Sequence, residues 1–143
     1  MNGTNRLLVY VSLATLVCLS GCRAASNPQA EADAVVAAKA WLSLVDGGKY
    51  AESWDEAAPL FQAAVSKEQW LQAMQGMRKP FGNNLSRELK SQRYRTSLPG
   101  APDGEYVVIQ FKASFENKAA AVETITPMQG RDGTWRVSGY YMK

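Results

Sequence analysis

The chain has 143 residues, 20% of them charged and 46% hydrophobic, with a formal net charge of +3. That length suits one domain, the balance is that of a globular chain, and the charge is too small to argue for nucleic acid as a partner. Histidine is absent and the two cysteines, Cys18 and Cys22, both fall in the first 22 residues, which excludes imidazole catalysis, imidazole-based zinc sites and a disulfide framework for the body.

Residues 1–22 read as an address. Arg6 and the terminal amine make a short positive region, and Leu7 to Leu19 is apolar apart from Tyr10, Ser12 and Thr15. The run is well short of the ~20 residues a membrane-spanning helix needs, and it suits a signal peptide over 1–21. Leu19-Ser20-Gly21-Cys22 resembles a bacterial lipobox. That resemblance implies cleavage before Cys22 and a diacylglycerol on its sulfur, usually with a third acyl chain such as palmitate on the new amine. Two or more chains anchor stably. Arg23, rather than Asp, follows the cysteine, and this implies sorting to the inner leaflet of the outer membrane, facing the periplasm. Residues 22–29 form a small, polar, Pro-containing tether, and 30–143 a single domain.

Ala30 to Val45 predicts a helix, with Val35, Ala38, Leu42 and Val45 on one stripe and Asp46-Gly47-Gly48 as its stop. Ser53-Trp54-Asp55-Glu56 and Ser66-Lys67-Glu68-Gln69 both fit capping boxes. They predict helices over Trp54 to Ala64, with Pro59 kinking or breaking the first, and over Lys67 to about Met77.

Leu85 to Leu98 predicts an edge strand, with Leu85, Arg87, Leu89, Arg93 and Arg95 sharing a face. After a Pro- and Gly-rich loop, Val107, Ile109, Phe111, Ala113 and Phe115 alternate with polar neighbours. Asn117-Lys118 fits a two-residue hairpin turn, because Asn tolerates positive φ. Ala119 to Met128 is rich in β-branched residues. Asp132-Gly133 is a stronger turn signal, and Trp135, Val137 and Tyr141 then alternate with Arg136, Ser138, Tyr140 and Met142. The expectation is an α+β fold: three N-terminal helices packed on a four-stranded antiparallel meander, resembling the cystatin-like or nuclear-transport-factor-two-like cone.

Two groups of residues could carry a site. Trp41, Trp54, Trp70, Phe111, Glu123, Trp135, Arg136 and Tyr140 could line a pocket between helices and sheet, or simply fill the core. Within that set Glu123 lies mid-strand opposite a segment that includes Arg136, a candidate cross-strand ion pair, exposed or buried. Arg78, Lys79, Arg87, Lys90, Arg93 and Arg95 stand against Glu88 alone, and could form a basic contact edge for anionic lipid or an acidic partner, or a solvated strand. No phosphate-cradling glycine loop is present, no catalytic residue stands out, and neither a cofactor nor a metal is expected.

Several blocks carry a wider resemblance. They are WLSLVDGGKYAESWDEAAPLF, Gln69-Trp70, RKPFG from Arg78, SRELKS from Ser86, SLPGAPDGEYVVIQF, SFENKAAAVETITPM and DGTWRVSGYYMK. Over Ala37 to Lys143 the chain resembles the domain-of-unknown-function family 4019. The resemblance implies a small bacterial secreted or lipid-anchored protein and transfers no activity or catalytic residue. The reading is a non-enzymatic envelope lipoprotein, held to the membrane through Cys22, that binds an envelope protein or a small apolar ligand. The alternative is a pocket-bearing small-ligand binder or enzyme of the cone fold.

Overall fold

The computed structural model describes residues 25–143. The expected signal peptide and the lipidation site Cys22 lie outside the described residues.

The first helix, α1, spans Pro28–Asp46. It starts two residues before the expected Ala30 because Asn27 caps it, accepting from the Ala30 amide at 3.2 Å, and Pro28 occupies the first turn, where no amide is needed. It stops where Gly47-Gly48 predicts. Gly48 takes φ +71°, which glycine adopts without strain, and the Lys49 amide closes on the Leu44 carbonyl at 2.8 Å. Ala34, Val35, Ala38, Trp41, Leu42 and Val45 are buried against the sheet.

The predicted helix over Trp54 to Ala64 is two helices, so the described residues hold four α-helices instead of three. The second, α2, spans Tyr50–Asp55, and α3 spans Pro59–Ala64. Pro59 is the reason: it cannot continue a helix but fits the first position of a new one. The expected Ser53 cap does not form. Ser53 lies inside α2, fully buried, and its hydroxyl donates to the Tyr50 carbonyl at 2.7 Å. The Ser66 capping box does form, and it opens α4, Lys67–Ala73. A π-helical turn over Met74–Arg78 and a 3-10 turn over Lys79–Phe81 follow. Gly82, at φ +75°, ends them; a Cβ there would stand 2.5 Å from Glu116 Oε2.

The strands are β1 (Asn84–Arg95), β2 (Tyr106–Phe115), β3 (Lys118–Gln129) and β4 (Trp135–Met142), antiparallel in the order β1-β2-β3-β4. All five residues of the predicted apolar face of β2 are buried. The β2–β3 turn sits on Glu116-Asn117, one residue before the expected pair, and every described residue with positive φ is a glycine, so Asn117 does not use the left-handed region.

Irregular registers change two faces. In β1 the pairing shifts between Leu89 and Ser91, so Arg93 and Arg95 pair with Val108 and Tyr106 instead of continuing the face of Arg87 and Leu89. In β4 the pairing jumps from Gly139 opposite Thr126 to Val137 opposite Pro127, leaving Ser138 as an extra residue. A bulge reverses the alternation beyond it. Tyr140 therefore turns toward the helices and Tyr141 outward, the reverse of the expected faces. Pro127, which cannot donate to a ladder, sits at that irregularity. No helix among the described residues is long and apolar enough to cross a membrane.

Candidate functional site

The aromatic residues pack on one another. Trp41 and Trp70 have ring centroids 5.7 Å apart, Phe61 lies edge-on to Trp70 at 5.0 Å, and Tyr140 reaches Trp41 at 5.4 Å. Buried Ser53 joins them: its carbonyl accepts from Trp41 Nε1 at 2.7 Å and its hydroxyl from Trp70 Nε1 at 3.0 Å. Both indole N–H groups are thereby satisfied in the interior, as buried donors require. Phe111 is buried in the same core. Trp54 packs against this core from its edge, half-buried, donating to the Val65 carbonyl with the Lys67 ammonium over its ring. Of the eight residues nominated for a pocket, Trp41, Trp135 and Arg136 border one groove and Trp70 and Tyr140 another.

Glu123 is fully buried, and its partner is not Arg136. It stands opposite Met142 in the sheet, whereas Arg136 stands opposite Met128 and binds Asp132 at 2.9 Å. That pair holds the Asp132 carboxyl down to about 2, the hydrogen bond from Arg136 acting first and the Thr134 amide next. Glu123 instead accepts from Arg87 Nε at 2.7 Å and from the Tyr140 hydroxyl at 2.7 Å.

Arg87 has a second carboxylate. Its Nη1 donates to Asp46 Oδ2 at 2.7 Å, and Asp46 Oδ1 also accepts from Arg78 Nη2 at 3.0 Å. Arg78, only 2% exposed, donates its Nη1 to the Gly82 carbonyl at 2.8 Å and lays its guanidinium 4.4 Å from the Phe115 ring centroid. Its Nε is buried without a hydrogen-bond partner among the described residues. Two arginines and two carboxylates thus form a charge-balanced chain from the end of α1, through the turn after α4, to β1 and β3.

The electrostatics follow. Burial would raise the Asp46 carboxyl, but hydrogen bonds and charge from Arg87, then Arg78, overcome it and hold the group below its usual value. Burial also opposes the charge on Arg87, and its two carboxylates more than restore it, so the guanidinium is held above its usual value. Tyr140 is raised by burial first, then by the Glu123 charge and the hydrogen bond to it.

Arg78 and Arg87, read as part of a basic edge, are therefore drawn inside. Lys79, Lys90 and Arg93 are exposed, and Arg95 is half-buried with its Nη1 on the Tyr94 carbonyl. Asp46 was missed among the candidates. Its sequence signal is an acid at the C-terminal end of a helix, where the dipole disfavours negative charge and a cation must compensate.

Two open grooves flank this interior. The larger, about 600 Å³, runs between α1, α2 and β4. Ala37, Ala40, Trp41 and Leu44 form one side, Trp135 to Val137 the other, with Glu52, Asp55 and Glu56 along the rim. The smaller, about 290 Å³ and almost wholly apolar, lies between α4 and the end of β4, with exposed Met77 and Tyr141 at its mouth. No group of three or more carboxylate or cysteine side chains suited to a metal ion occurs among the described residues.

One family, described as "Protein of unknown function (DUF4019)", matches residues 37–140. No curated protein and no solved structure matches the chain.

Proposed function

The chain belongs to the DUF4019 family, described as of unknown function, and we propose that it is a lipid-anchored envelope protein whose domain is a non-enzymatic binding module facing the periplasm. The observation that carries the binding reading is the pairing of the interior charges. Asp46, Glu123, Arg78 and Arg87 are committed to one another, and Tyr140 to Glu123. A general base or nucleophile must be within reach of a substrate, whereas these groups are buried in mutual contact. Recognition then falls to the open surface, and the groove between α1, α2 and β4 is its best seat. Its 600 Å³ lies within the range of about 300–1,000 Å³ usual for ligand sites.

The order of helices followed by a meander supports a cystatin-like or nuclear-transport-factor-two-like cone. The lipobox-like Leu19-Ser20-Gly21-Cys22 supports the anchor and, with Arg23, residence on the inner leaflet of the outer membrane. Mass spectrometry of the protein isolated from membranes tests the anchor. The expected species begins at Cys22 with two or three acyl chains, and Cys22→Ser abolishes it. A mature chain cut elsewhere and carrying no lipid refutes the anchor.

A further inference from the structure

We propose that the groove between α1, α2 and β4 takes a small organic cation with an apolar body. The proposal rests on that groove being the recognition surface, and it adds the chemical class of the ligand.

The apolar part of the site is Ala37, Ala40 and Leu44 of α1 across from β4, together with Trp41, Trp135 and Val137, which are each less than a tenth exposed. The charge preference comes from what remains unpaired at the rim. Asp55 is taken up by Lys67 at 2.8 Å, and the single arginine, Arg136, is held by both oxygens of Asp132, at 3.2 and 2.9 Å. Glu52 has only a loose contact, 3.7 Å, with Lys49. The Glu56 charge adds a small part to the raising of Arg136, but Glu56 makes no ion pair within 4.0 Å among the described residues. Glu56 thus faces the opening without an ion pair among the described residues and Glu52 is only loosely paired, while the nearby cations Arg136, Lys67 and Lys49 each already have a carboxylate. An anionic ligand would meet repulsion from Glu52 and Glu56 and find Arg136 occupied. A cation meets these carboxylates and can set its apolar body against Ala37, Ala40, Leu44 and the small exposed part of Trp135.

The test uses the full lipidated chain in phosphatidylcholine nanodiscs, whose neutral headgroups do not compete for cations. Three probes are titrated: benzyltrimethylammonium, neutral benzyl alcohol, and anionic benzenesulfonate. The readout is the indole N–H resonances, assigned by single Trp→Phe variants. The expected result is saturable movement of the Trp135 and Trp41 signals with the ammonium, and at least severalfold weaker binding of the other two. Glu52→Gln with Glu56→Gln, both at exposed positions, should weaken the ammonium about tenfold, as two modest exposed charge contacts predict. Ala40→Trp should block it by filling the groove. Equal binding of all three probes at Trp41 and Trp135, or undiminished binding by the double variant, overturns the charge preference and leaves the groove as a binding surface. No movement of those signals with any probe overturns the groove reading as well.

Discussion

Glu123 is the residue on which the interior turns. It is 0% exposed, and its carboxyl oxygens are met by Arg87 and by the Tyr140 hydroxyl. Removing Glu123 leaves Arg87 with Asp46 as its one carboxylate and the buried Tyr140 hydroxyl without its acceptor, so Glu123→Ala should cost about 3 kcal/mol in urea unfolding, the low end for a broken buried pair. Tyr140→Phe keeps the ring and loses one hydrogen bond to a charged acceptor, so the expected loss is about 1.5–3 kcal/mol. Acid dependence comes from the two carboxyls held low, Asp46 inside and Asp132 at the exposed β3–β4 turn, where solvent screens the contribution. The folded pKa of Asp46 lies below the usual 3.8, so its contribution is present above that value and is lost as the pH falls below it. Urea midpoints measured between pH 6 and 2 should fall at the acid end, and Asp46→Asn should reduce that fall, leaving the part that Asp132 supplies. Tyr140 has the opposite sign. Its folded pKa is raised above the usual 10.0, so the protonated phenol favours folding and stability declines above pH 10, a decline that Tyr140→Phe removes.

Among the elements, the helix starts rest on local chemistry that is small and additive. The Ser66 box is reciprocal: the Gln69 amide donates to Ser66 Oγ at 3.2 Å and the Ser66 amide to Gln69 Oε1 at 3.0 Å. Ser66→Ala should therefore lower stability by about 1 kcal/mol without changing the aromatic packing, which near-ultraviolet circular dichroism would check. These caps also mark what was legible in the sequence. The Ser66 box, the Gly47-Gly48 stop and the alternation of β2 act between near neighbours, and all three are read directly from residue order. The Ser53 box had the same spelling and failed, because Ser53 was worth more as a buried partner of Trp70 than as a cap. The faces of Tyr140, Arg93 and Arg95 were illegible for a different reason. One extra residue in a strand reverses everything beyond it, and neither Lys90 nor Ser138 announces itself as that residue. Gly139 and Pro127, adjoining the irregularity, were the available signals.

At the scale of the whole molecule, charge is sorted by depth. Arg87 lies 41 residues from Asp46 and 36 from Glu123 in sequence, so no local pattern could have paired them. Their union ties the end of α1 to β1 and β3 and fixes the helices over the sheet. The same distance explains why Arg78 and Arg87 read as surface charge, and why Arg136 was the nearer guess for Glu123. Outside this brace, Glu52 and Glu56 remain turned to solvent above the groove.

A brace inside and the proposed recognition groove outside should be separable, and one comparison of binding isotherms tests that division. Benzyltrimethylammonium is titrated into Tyr140→Phe and into the Glu52→Gln, Glu56→Gln double variant under identical conditions. The predicted result is wild-type affinity for Tyr140→Phe despite its lower stability, and about tenfold weaker binding by the double variant at unchanged stability. Lost binding in a folded Tyr140→Phe protein, with full binding by the double variant, would contradict it and move the site to the buried cluster.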